Sequence, residues 1–69
     1  MKLSARNTIK GTIKQVILGP VSAEVLLRVA PGIDIVAVIS TSSAKALKLK
    51  EGKKAYAVVK ASSVMVAID

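Results

Sequence analysis

The sequence contains no cysteine, histidine, phenylalanine or tryptophan, and its one aromatic side chain belongs to Tyr56. Without cysteine and histidine, disulfide bonds and the usual zinc sites are excluded as supports for the fold. Domains of this size bury too little surface to be stable without such a support or self-association. Because 52% of the 69 residues are hydrophobic and the mean hydropathy is +0.57, we expect a single domain, residues 1–69, that forms a homo-oligomer.

Carboxylates are scarce as well. The chain has four acidic residues against eleven lysines and arginines, which gives a net charge of +7. The acidic residues are Glu24, Asp34, Glu51 and Asp69. This excess of positive charge favours an anionic partner, whether nucleic acid, an acidic protein, a membrane surface or a small oxyanion.

The same scarcity argues against catalysis. The carboxylates are scattered along the chain, and the ordinary pKa values of lysine and tyrosine suit general acid–base work poorly at neutral pH. Lys60 and Ser62 stand two residues apart, a spacing that leaves a Ser–Lys nucleophilic pair open. A chain this small offers little room for a substrate pocket, so we predict a binding protein without enzymatic activity or a catalytic cofactor.

Long hydrophobic runs are also missing. No run approaches the roughly 18 apolar residues of a membrane-spanning helix. The first ten residues, MKLSARNTIK, lack the apolar core of a signal peptide. We therefore expect no membrane partner, and the cytoplasm is the default expectation for the location of the protein.

Alternation of apolar and polar residues predicts β-strands through most of the chain. Five segments show this alternation: 3–18, 22–29, 33–39, 55–60 and 64–68. Gly11 is the expected point of a bend or bulge in the long first strand. Between the third and fourth strands, STSSAKALKLKEG predicts a short helix capped by Ser40 or Thr41.

This order of elements predicts an all-β fold. Five strands with one short helix between strands 3 and 4 fit a small OB-like Greek-key barrel. Closing the sheet would also remove the exposed edges that a chain rich in valine and isoleucine must avoid. An SH3-like barrel is the alternative, because periodicity alone does not distinguish the two.

Three short stretches combine hydroxyl, amide and cationic donors, as a small oxyanion requires. They are SARN at residues 4–7, STSS at 40–43 and KASS at 60–63. Each has an ordinary interpretation as a helix cap, a strand end or a surface charge. Together, on an apolar chain with few acids and aromatics, they favour an anion site.

Nucleic acid is the competing ligand. A basic OB barrel is a common platform for single strands, so a single-stranded nucleic-acid-binding protein is the alternative function. Such platforms rely on stacking of bases on aromatic rings. With Tyr56 as the only ring, phosphate contacts alone would remain.

Two stretches, KLSARNTIKGTI and YAVVKASSVMVAID, resemble the molbindins, or Mop family of molybdenum-pterin-binding proteins. The resemblance covers essentially the whole chain, and the SARN and KASSV motifs are specific at this separation. It implies binding of molybdate, with tungstate as an analogue, for intracellular storage and homeostasis of molybdenum. It also implies an OB-like fold and a hexamer, a trimer of dimers, with anion sites between subunits.

The resemblance further implies which residues bind the oxyanion. They are Ser4, Ala5, Arg6, Asn7, Lys60, Ala61, Ser62 and Ser63. Ser40 and Ser43 match positions that a neighbouring subunit contributes, although Ser40 stands where the family tends to have threonine. Molybdenum would be bound as the oxyanion, with no direct protein ligand to a metal cation, and no pterin pocket is predicted.

Lys60 and its neighbouring serines interrupt the most apolar run of the chain, residues 58–69. A buried ammonium is costly unless a partner neutralises it. We therefore expect another subunit to cover this surface and the bound dianion to pair with Lys60.

Overall fold

A computed structural model describes residues 6–69 as a curled antiparallel sheet with one short helix. The elements are β1 (Asn7–Leu18), β2 (Ser22–Ala30), β3 (Ile33–Ser40), α1 (Thr41–Ala46), β4 (Lys54–Val59) and a 3₁₀ turn (Ala61–Ser63). The strand order is β3-β2-β1-β4, with every neighbouring pair antiparallel. The all-β class, the first four strands and the helix between strands 3 and 4 are as predicted. No helix in residues 6–69 is long and apolar enough to span a membrane.

The long strand β1 curls the sheet because it changes partner along its length. Residues 7–12 pair with β4, and residues 12–18 pair with β2. The register with β2 shifts between Ile13 and Gln15, a bulge that increases the local twist. The sequence predicted a bend or bulge at Gly11, whereas the register shift lies further along β1, between Ile13 and Gln15. Gly11 permits close approach instead, since a Cβ there would lie 2.9 Å from the carbonyl oxygen of Arg28.

The core lies on the concave face of this sheet. Ile13, Val25 and Leu27 form its buried centre. The partly buried side chains packed around them are Val16, Val29, Ala37, Ile39, Leu49 and Ala55. Alternation along β2 places Ala23, Val25 and Leu27 inward and Glu24, Leu26 and Arg28 on the outer face, as the period-two pattern predicts.

The helix α1 begins as the sequence predicts. Ser40 is the N-cap, and its side-chain oxygen accepts a hydrogen bond from the backbone N–H of Ser43 at 3.0 Å. Thr41, the other residue predicted as a possible cap, is buried, and its hydroxyl donates to the carbonyl of Gly19 at 2.6 Å. After the helix, the Lys53 ammonium donates to the carbonyl of Leu47 at 2.7 Å, where C-terminal helix carbonyls lack partners. The helix is thereby attached to two turns of the sheet.

The fifth predicted strand is not formed among residues 6–69. Residues 64–69 follow the 3₁₀ turn without a strand partner in the described structure. Met65, Val66 and Ile68 are each more than nine-tenths exposed. Sequence alternation identified an apolar strand-like segment, but it carries no information on which chain supplies the neighbouring strand.

An apolar groove of about 580 Å³ runs beside the free edge of β4. Its lining includes Val25, Leu27, Ala37, Ile39, Lys53 and Lys54. The two lysines stand at the start of β4, and the apolar side chains belong to β2 and β3. The sheet is therefore curled around its core but open on one side.

Candidate functional site

Sheet pairing brings the described end of the first predicted binding motif close to the start of the second. Asn7, at the start of β1, lies opposite Val59, at the end of β4. The residues just outside this pair are Arg6 and Lys60, and both are exposed. Ser4 and Ala5, the first half of SARN, lie outside the described residues. Segments more than fifty positions apart in the sequence thus meet at one end of the sheet.

The second motif forms a turn with outward-facing donors. The carbonyl of Lys60 accepts the N–H of Ser63 at 2.9 Å, and the carbonyl of Ala61 accepts that of Val64 at 3.3 Å. The N–H groups of Ala61 and Ser62 open this turn, where helical amides lack a partner within the helix. The side chains of Ser62 and Ser63 are exposed. Exposed hydroxyl and amide donors therefore directly follow Lys60 in the chain.

The charges at this end of the sheet have no neutralising carboxylate among residues 6–69. In the part of the chain that the structure describes, the one salt bridge joins Arg28 to Asp34. Arg6 and Lys60 have no carboxylate within salt-bridge distance among those residues. Two cations, hydroxyl groups and amide N–H groups without a protein anion are suited to bind a small dianion.

The third predicted segment lies elsewhere. Ser40 pairs with Ser22, beyond the far end of the ladder between β1 and β2, where Leu18 lies opposite Ala23. Its hydroxyl donates to the Ser43 hydroxyl at 2.7 Å and serves as the helix cap. Within one chain, Ser40 and Ser43 therefore stand at the opposite end of β1 from the paired motifs. Their contribution from a neighbouring subunit stays a prediction.

Lys60 is exposed in the single chain, as are the two serines that follow it. The expected covering of this surface by another subunit stays a prediction as well. Sequence reasoning did not single out the groove, because its lining residues come from segments that are far apart in the sequence. No group of three acidic side chains able to hold a metal ion occurs among residues 6–69.

The chain matches known proteins over nearly its full length. The family described as TOBE domain matches residues 3–66. A "Probable molybdenum-pterin-binding protein" of Haemophilus influenzae is 41% identical over 69 residues, which cover 100% of both chains. The structure superposes on MopII from Clostridium pasteurianum with a TM-score of 0.91 at 42% identity, covering 97% of this chain and 100% of that one. A molybdate binding protein from Sporomusa ovata gives a TM-score of 0.91 at 35% identity, covering 99% and 100%.

The fold and the site together define a class of protein: a small all-β domain with a curled sheet and exposed anion donors. The chain belongs to the TOBE domain family and, within it, to the small molybdenum-pterin-binding proteins of the Mop type. The resemblance to molbindins is thereby confirmed over the whole domain.

Proposed function

We propose that this protein binds molybdate, and tungstate as its analogue, and stores the oxyanion in the cytoplasm without chemical change. The observation that supports the proposal is the pairing of Asn7 with Val59, because it brings Arg6 and Asn7 of the first motif close to the residue that precedes Lys60. The similar protein from Sporomusa ovata is described as molybdate binding, which supports the same ligand here.

The proposed site holds the dianion by charge and hydrogen bonding. Arg6 and Lys60 supply positive charge, and charge-assisted hydrogen bonds are the stronger kind. Ser4, Ser62 and Ser63 supply hydroxyl donors, and Ala5, Asn7 and Ala61 belong to the site through their backbone or amide groups. A tetrahedral oxyanion accepts such donors from several directions, so no covalent step is needed and the ligand leaves unchanged.

The proposed binding form is an oligomer in which a second copy completes the barrel. The open groove beside β4 and the exposed apolar residues 64–69 are complementary, and a large exposed apolar surface is a mark of a protein interface. A strand from a second copy placed in this groove would give the five-stranded OB-like barrel. A hexamer, built as a trimer of dimers, would then bring Ser40 and Ser43 of one subunit toward the paired motifs of another.

The alternative of single-stranded nucleic-acid binding gains no support from the structure beyond the positive charge of the chain. Tyr56 is half exposed on the outer face of β4 and lies opposite Lys10. One ring beside one lysine does not make the row of aromatic side chains on which successive bases stack.

Calorimetric titration with molybdate, tungstate, sulfate and phosphate tests the proposed function. We expect saturable binding of molybdate and tungstate that is stronger than binding of sulfate and phosphate. Equal affinity for molybdate and sulfate, or no binding of molybdate, would remove the proposal.

A further inference from the structure

The segment that follows the 3₁₀ turn matches the free edge of β4 in reach. The edge spans six residues, Lys54–Val59, and residues 64–69 are enough to pair with all of them. Each neighbouring strand pair in the described sheet is antiparallel, so an added strand that follows the same rule ends beside the start of β4. The inference drawn from this match rests on the assembly proposed above and concerns how the added strand is aligned.

Side-chain sizes match on the face of β4 that points into the groove. Ala55 packs against the core cluster and lines the groove, and Ala57, two residues further along the same face, is buried. If residue 69 lies opposite residue 54, the partner's Ile68 and Val66 stand opposite these two alanines. Large apolar side chains then fill the positions that small ones leave open, as close packing of an interior requires.

The outer face of β4 and the C-terminal segment carry opposite charges at positions that would face each other. Lys54, Tyr56 and Val58 lie on this face and border the groove. In the same alignment they stand opposite the partner's Asp69, Ala67 and Met65, respectively. Asp69 is the only acidic residue of the C-terminal segment, and it meets one of the two lysines that line the groove.

We propose that the partner's Asp69 forms a cross-strand ion pair with Lys54, and that this pair fixes the register of the exchanged strand. In the single chain the Lys54 ammonium donates to the Thr12 hydroxyl at 2.7 Å and has no salt-bridge partner among the described residues. Opposite charges that face each other across two strands stabilise the pair, whereas like charges destabilise it.

Other alignments lose these matches. A slip by one residue turns Val66 and Ile68 outward and moves the carboxylate of Asp69 into the apolar groove. A slip by two residues toward the end of β4 places Asp69 opposite Tyr56, away from Lys54. A parallel strand would carry Asp69 toward Lys60, which lies outside the groove lining and belongs to the proposed oxyanion site.

Engineered disulfides test the register directly, because the natural sequence of the chain contains no cysteine. We expect the double variant Tyr56→Cys/Ala67→Cys to form covalent dimers under mild oxidation, because directly opposed residues lie within disulfide reach. The control Val58→Cys/Ala67→Cys corresponds to a slip by two residues and should remain uncrosslinked. Crosslinking of the control alone, of neither variant, or within single chains on a non-reducing gel would overturn the proposal.

Charge reversal tests the ion pair itself. Asp69→Lys should raise the dissociation constant of the assembly on the order of tenfold, because each exchanged dimer carries the pair twice. Glu51→Lys makes the same change in net charge in a turn outside the groove and should have a much smaller effect. Adding Lys54→Asp to Asp69→Lys should restore assembly. Equal effects of Asp69→Lys and Glu51→Lys, measured by sedimentation, would contradict the pair.

The outcomes separate this inference from the proposed function. Molybdate binding without the Tyr56–Ala67 crosslink would leave the function in place and refute the register. Formation of that crosslink in a protein that ignores molybdate would support the register and refute the function. Asp69→Lys should still bind molybdate at wild-type strength when its concentration is high enough for assembly, since residue 69 lies outside both motifs.

Discussion

The β2–β3 hairpin and the end of the sheet that joins β1 to β4 differ in how far each completes its own contacts. In the hairpin, the Arg28 guanidinium donates to both carboxylate oxygens of Asp34, at 2.8 and 3.0 Å, and inward side chains close the core. At the other end, Arg6 and Lys60 have no carboxylate partner among residues 6–69. Groups that satisfy each other within the chain serve the fold, whereas groups left with free donors are available to a ligand.

The largest expected effect breaks the fold side of this comparison. Leu27→Ala removes a side chain from the buried centre and should lower the free energy of unfolding by about 2–5 kcal/mol. Leu26→Ala is the matched control, since Leu26 is the adjacent residue on the outer face and is only partly buried. Urea unfolding of both variants makes the measurement. A similar loss for both would mean that the concave face is not the core.

The next largest expected effect concerns the proposed oxyanion site. Lys60→Ala should weaken molybdate binding by about 1.5–3 kcal/mol, roughly tenfold to a hundredfold, because it removes a charged donor. Arg6→Ala should act similarly, and Ser62→Ala should cost less because its hydroxyl is a neutral donor. Calorimetric titration gives the affinities, and urea unfolding should show the fold intact.

Lys50→Ala is the control for these variants, because Lys50 carries the same charge but lies in the turn before β4. It should bind molybdate almost as the wild type does. If Lys50→Ala and Lys60→Ala weaken binding equally, the effect comes from net charge and the assigned site is wrong.

The same contrast explains what the sequence could predict. Strand alternation is a local property, and it located β2 and its buried face because those residues complete their packing within the chain. The N-cap at Ser40 was also predictable, since capping depends on neighbours three residues away. The position of Asn7 opposite Val59 depends on the register of β1 with β4, which periodicity alone did not give. The family resemblance suggested only that the SARN and KASS motifs act in the same site.

The segment 64–69 shows where local patterns end. Its alternation predicted a strand, but a strand needs a partner, and none is present for it within the described chain. The groove likewise depends on three strands and a turn brought together, so no short stretch of sequence signals it. The groove depends on tertiary contacts between distant segments and the proposed strand partner on a second chain, and local patterns encode neither.

The smallest expected effect tests the ion pair of the hairpin through its pH dependence. Hydrogen bonds from Arg28 lower the pKa of Asp34 below its ordinary value, so the folded state favours the ionised carboxylate. The pair therefore stabilises the fold above the ordinary carboxyl pKa of about 4, and this contribution is lost as the pH falls through the lowered pKa of the folded state. We expect Asp34→Asn to be slightly less stable than the wild type at neutral pH and equal to it in strong acid. The difference should shrink in high salt because the pair is exposed to solvent.

Unfolding curves across acid pH make the measurement, with Glu51→Gln as the control acid outside any described salt bridge. A stability difference for Asp34→Asn that persists unchanged in strong acid would show that the residue acts through something other than its charge.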